Sequence, residues 1–86
     1  MKIKDGYVVR KVAGSYVVIK QGGDADFRQM ITVNESGALI WDCINQGLGE
    51  NAIAERIVQE YDVDFDTAVL DTKNFILRMK EADVLE

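Results

Sequence analysis

Ile31-Thr32-Val33-Asn34-Glu35-Ser36-Gly37-Ala38-Leu39-Ile40-Trp41 is the stretch in which the hydrophobic period of the chain changes. Up to Val33 apolar and polar residues alternate, the signature of a half-buried strand. Beyond it Leu39, Ile40, Trp41, Cys43 and Ile44 recur at helical spacing. Asn34 stands at the junction as a good N-cap, because its side chain can accept a hydrogen bond from an orphan N–H of the first turn. A sheet before this point and helices after it define an α+β order.

Working back from Asn34, Phe27-Arg28-Gln29-Met30-Ile31-Thr32-Val33 reads as a third strand. Tyr7-Val8-Val9-Arg10-Lys11-Val12 and Tyr16-Val17-Val18-Ile19-Lys20 precede it, both rich in β-branched and aromatic residues that suit a pleated surface. Ala13-Gly14-Ser15 joins them as a tight hairpin, with glycine supplying positive φ. Gln21-Gly22-Gly23-Asp24-Ala25-Asp26 is a looser polar turn. A sheet of this size folds only if something covers its apolar face.

Forward from Trp41, Gly47 ends the first helix through a left-handed conformation. A second helix runs from about Glu50 to Tyr61 on Ile53, Ile57 and Tyr61, with Glu55, Gln59 and Glu60 on its solvated side. Asp62-Val63-Asp64 breaks it, and Asp64 caps a third helix whose core stripe is Ala68, Thr72, Phe75, Ile76 and Met79. Val84 and Leu85 are placed to fold back onto that core. The expected order is β-β-β-α-α-α, three antiparallel strands followed by three helices on one side of the sheet.

The chain has 86 residues, 48% hydrophobic and 29% charged, which suits one folded domain spanning 1–86, with strands within 7–33 and helices within 34–82. A domain this small buries only about 60–65% of its unfolded surface, so no deep substrate cavity is expected. It contains no His, no Pro and one Cys, excluding histidine-based catalysis, histidine-containing zinc sites and an intrachain disulfide. Nothing reads as a signal peptide or a membrane span, and the free thiol suits a reducing compartment; a soluble cytoplasmic protein is expected. The net charge of −5 is uneven: residues 1–33 carry +3 and residues 34–86 carry −8. A partner approaching the C-terminal part meets a negative field, which opposes nucleic-acid phosphates.

The block Val33-Asn34-Glu35-Ser36-Gly37-Ala38-Leu39-Ile40-Trp41 follows a third strand directly. After it come Gly47, the Ile53/Ala54/Ile57 helix, Tyr61-Asp62-Val63-Asp64, and a helix bearing Asp71, Phe75, Ile76 and Met79. Over residues 7–85 this order resembles the PqqD-like family, small proteins related to the pyrroloquinoline quinone biosynthesis chaperone. They serve as recognition elements for ribosomally made, post-translationally modified peptides. One departure is Asp83, where the family usually has Gly before a final apolar pair.

The resemblance implies a winged helix-turn-helix fold that does no chemistry. Such a protein captures the leader region of a precursor peptide and presents it to a tailoring enzyme, often a radical S-adenosylmethionine protein. It also implies that the leader adds as an antiparallel strand to the third strand, with apolar side chains in the groove beside the third helix. Strand addition draws affinity from main-chain bonds and selectivity from side-chain pockets. The receptor edge would be Arg28, Gln29, Met30, Ile31 and Thr32, and the helix flank Asp71, Asn74, Phe75 and Arg78. The plainer reading makes Arg28 and Gln29 guards of an ordinary edge and Phe75 a core residue beside solvated neighbours.

Leu70 and Leu77, seven apart and opposite the core stripe, are a candidate face for the enzyme or a second copy of the domain; isolated exposed leucines are also normal. Trp41 and Cys43 read as core, and Asp42 beside the thiol disfavours a nucleophile. The Asp62/Asp64/Asp66 alternation lacks the Gly and distal Glu of a calcium loop, so capping explains it better. No phosphate loop, metal set or cofactor motif is present. The rival function is a DNA-binding regulator, but residues 64–82 carry a net −1 where a DNA reader shows a basic stripe. A purely structural oligomer and an enzyme are weaker readings.

Overall fold

The computed structural model describes residues 1–21 and 30–86. Strands β1 (Tyr7–Val12), β2 (Ser15–Lys20) and β3 (Ile31–Val33) form an antiparallel sheet in the order β1-β2-β3. Helices α1 (Glu35–Asn45), α2 (Glu50–Glu60) and α3 (Phe65–Glu81) follow. This is the α+β order expected from the change of period at Asn34, and it agrees with the winged helix-turn-helix arrangement that the resemblance implies. Phe27, Arg28 and Gln29, assigned above to the third strand, lie outside the described residues.

The turn between β1 and β2 has two residues, Ala13 and Gly14, at φ 51° and 83°. Positive φ at both positions is the type I′ pattern, whose twist matches that of the flanking strands. Glycine takes this conformation freely, whereas Ala13 holds it against a steric penalty.

Each helix begins and ends where its residues dictate. The Asn34 carboxamide accepts from Gly37 N at 2.8 Å, and the Asp64 carboxylate accepts from Thr67 N at 2.7 Å. Hydrogen bonding from Thr67, its backbone N–H first and its side chain second, holds the Asp64 carboxyl below its usual range. Asp64 is therefore a helix cap, as the capping reading of the aspartate alternation expected. At the end of α1, Gly47 N and Leu48 N donate back to Ile44 O and Cys43 O. At the end of α3, Asp83 N and Val84 N donate to Lys80 O and Met79 O in the same way. Both ends are Schellman caps with a left-handed residue at C′: Gly47 at φ 82° and Asp83 at φ 62°. Asp83 also pairs with Lys4.

The core gathers Val18 and Val33 from the sheet, Ile40, Trp41, Cys43 and Ile44 from α1, Ile53, Ala54 and Ile57 from α2, and Ala68, Phe75, Ile76 and Met79 from α3. Truncating one of its fully buried isoleucines to Ala would cost roughly 2–5 kcal/mol. Thr72 is buried among them because its hydroxyl donates to Ala68 O at 2.8 Å. Val84 and Leu85 are buried as expected. Ile3 bridges to Leu85, Lys4 N donates to Val84 O, and Glu86 N donates to Lys2 O. The C-terminal tail is thus held by the N-terminal residues and does not cover β3.

Candidate peptide-binding edge and groove

Hairpin geometry decides which backbone groups β3 leaves open. Flanking a two-residue turn, Val12 and Ser15 form a hydrogen-bonded pair. Alternation then directs the N–H and C=O of Val17 toward β1, and those of Tyr16 and Val18 toward β3. Thr32 lies opposite Val17, so its own N–H and C=O point away from β2. Among the described residues no strand pairs with that side of β3. Its outward carbonyl does have one partner: Arg78 Nη2 donates to Thr32 O at 2.6 Å.

Beside this edge is a groove of about 490 Å³ lined by Thr32, Val33, Asn34, Ser36, Gly37, Ile40, Asp71, Asn74, Phe75 and Arg78. The third strand, the first turn of α1 and one flank of α3 form its walls. Gly37 is what lets them meet. A methyl group there would lie 3.1 Å from Phe75 Cε2, 3.2 Å from Val33 Cβ and 3.2 Å from Asn34 Oδ1. Glycine in a first helical turn is otherwise unfavourable by roughly 1 kcal/mol against Ala, so close packing accounts for its presence.

Five of the residues singled out from sequence therefore come together here: Thr32, Asp71, Asn74, Phe75 and Arg78. Phe75 is at once core and groove wall, 7% exposed and packed in the hydrophobic cluster. Met30 and Ile31 do not line the groove. Met30 precedes the strand and is exposed, while Ile31 packs half-buried against the core. Arg28 and Gln29 lie outside the described residues. Sequence reading missed Val33, Asn34, Ser36, Gly37 and Ile40. The signal for them was present in the glycine placed inside an otherwise favourable helix start.

Leu70 and Leu77 stand outside the groove on the outer face of α3, 58% and 56% exposed. Trp41 is buried in the core. Burial pushes the Cys43 thiol above its ordinary pKa; Arg56 opposes the shift and Asp42 adds to it. The thiol is therefore protonated at neutral pH and a poor nucleophile. Among the described residues no cluster of three or more His, Cys, Asp or Glu could hold a metal, and no helix is long and apolar enough to cross a membrane.

An open strand edge beside a groove of polar and apolar residues is a geometry that strand addition by a peptide can use. The sequence matches the family model of coenzyme PQQ synthesis protein D (PqqD) over residues 15–85, and the chain belongs to that family. Two solved structures are similar to it. One is TbiB1 in complex with the TbiA(beta) leader peptide, 26% identical at a TM-score of 0.77, covering 100% of this chain and 95% of that one. The other is a lasso peptide synthetase B1 complexed with the leader peptide, 19% identical at a TM-score of 0.75, covering 98% of this chain and 93% of that one. The second likeness is one of fold. No curated protein matches the chain.

Proposed function

We propose that this protein binds the leader region of a ribosomally synthesised precursor peptide and presents it to a separate tailoring enzyme. The outward-facing Thr32 backbone beside the α1–β3–α3 groove carries this reading. A leader segment would add antiparallel to β3, its N–H and C=O pairing with Thr32 and an apolar side chain entering the groove against Phe75. Asp71, Asn74 and Arg78 border the path of that strand. Similarity to TbiB1, solved in complex with the TbiA(beta) leader peptide, supports the same assignment.

The protein itself supplies no chemistry in this role. With no histidine and a protonated, buried Cys43, it works as a carrier, and a radical S-adenosylmethionine protein is one class of enzyme it would serve. Leu70 and Leu77 would contact that enzyme or a second copy of the domain. Replacing both with Ser should weaken enzyme capture or dimerisation without touching leader affinity; unaltered complex formation and oligomeric state would remove them from the proposal. The setting would be the cytoplasm, where precursor peptides are made.

Titrating labelled protein with a synthetic leader, taken from the precursor gene beside its own, tests the assignment by amide shifts. Shifts centred on Thr32, Val33 and the Asp71–Arg78 flank are expected. Shifts confined to the Ala13–Gly14 turn would count against it. The DNA-binding alternative gains nothing from the fold, because the helix that would have to enter the major groove has no basic excess, Asp66, Asp71 and Glu81 offsetting Lys73, Arg78 and Lys80.

A further inference from the structure

Resting on that reading, a more specific one concerns which peptides the edge accepts. An entering strand that pairs with Thr32 uses both of its outward groups. The carbonyl is already held by Arg78 at 2.6 Å. We infer that Arg78 is a displaceable latch: the peptide's N–H replaces it on the Thr32 carbonyl, and the freed guanidinium pairs with a carboxylate of the peptide.

Register fixes where that carboxylate sits. Directly opposed residues of an antiparallel pair share a face of the sheet. Val18 with Ile31, and Tyr16 with Val33, are on the core-packed face, whereas Thr32 with Val17 is on the other. A peptide residue opposite Thr32 therefore turns away from the helices, and its two neighbours turn toward them. The neighbour opposite Val33 faces the groove that Val33, Gly37 and Phe75 line together, and takes an apolar side chain. Arg78 already reaches the Thr32 carbonyl, so once released its guanidinium would meet the other neighbour, opposite Ile31. In an antiparallel strand the residue opposite Val33 comes first. The recognised pattern is apolar, any residue, then Asp or Glu.

Asp71 gives the pattern a direction. It borders the same groove seven positions before Arg78, roughly 10 Å away at 1.5 Å rise per residue. Reversing the peptide pattern would move its carboxylate from Arg78 toward Asp71. Unfavourable pairing of this kind discriminates between partners as effectively as attraction does.

Selection of a phage-displayed random peptide library on the wild-type protein and on Arg78→Met tests this. Selected peptides are then titrated into both proteins by fluorescence polarisation and amide shifts. Wild type should enrich apolar-x-acidic peptides, and Glu→Gln in such a peptide should weaken binding by roughly tenfold, as expected for a close charge pair. Arg78→Met should keep the apolar preference and show no penalty for that Glu→Gln change. Arg78 is exposed, so the variant folds, which its far-UV dichroism would verify. Peptides that shift Thr32 but carry no acid preference, or a preference that survives Arg78→Met, would overturn the latch and leave strand addition standing. Failure of every selected peptide to shift Thr32 would overturn both.

Discussion

Arg78, near the C-terminal end of α3, hydrogen-bonds the outward carbonyl of Thr32 on the strand that borders the groove. A free edge is a template for pairing with other chains, and proteins blunt such edges with charged side chains. Arg78 does so by occupying one of the edge's acceptors. Its replacement by Ala should leave thermal stability within about 1 kcal/mol, since exposed bonds contribute little. Self-association should nevertheless increase. Sedimentation velocity over a concentration series would check this; an unchanged distribution would show that the bond does not guard the edge.

Gly37 sets the separation of groove walls. Gly37→Ala gains about 1 kcal/mol of helix propensity but crowds Phe75, Val33 and Asn34. Overpacking of that kind costs typically ~1–3 kcal/mol, so stability should fall slightly or hold level. Leader affinity should drop by about tenfold as the walls shift, equivalent to ~1.4 kcal/mol. Calorimetric titration of the variant against wild type reads this directly, and an unchanged affinity would place the peptide's anchor elsewhere.

Ala13 carries left-handed strain far from the groove. Asn tolerates that conformation and is favoured at the first position of a type I′ turn. Ala13→Asn should raise stability by roughly 0.5–1 kcal/mol, seen as a higher urea midpoint, with leader affinity unaltered.

The Cys43 thiol has a raised pKa because burial disfavours the thiolate. For a group whose folded pKa lies above its unfolded value, the stabilising contribution is intact below the unfolded pKa. It is lost as pH climbs through the folded one. Urea midpoints should therefore decline above about pH 9, and Cys43→Ser should flatten that decline. Iodoacetamide at neutral pH should leave the native thiol unmodified; rapid native labelling would contradict its burial.

The helices were readable from local chemistry. Asn34 and Asp64 announce caps, Gly47 announces a stop, and the stripe from Ala68 to Met79 announces a buried face. The tail was also readable, as Val84 and Leu85 had nowhere apolar to go except back. What local chemistry could not yield was the site's third wall. Gly37 and Ser36 join the groove only because α1 turns off β3 beneath α3, and their roles depend on residues about forty positions downstream. Periodicity was equally silent on Arg78 and Thr32: one lies on a helix flank, the other on an edge, and only their packing reveals that they touch. Asp83 shows the opposite case. Sequence marked it as a departure from glycine, and the structure explains how an aspartate serves at φ 62°, with Lys4 as its partner.

Lys2, Ile3 and Lys4 run alongside Val84, Leu85 and Glu86, held by two backbone bonds and a bridge. Residues 2–4 and 84–86 therefore lie side by side. Fraying of either segment unfastens the other, so heat loosens both in a single event.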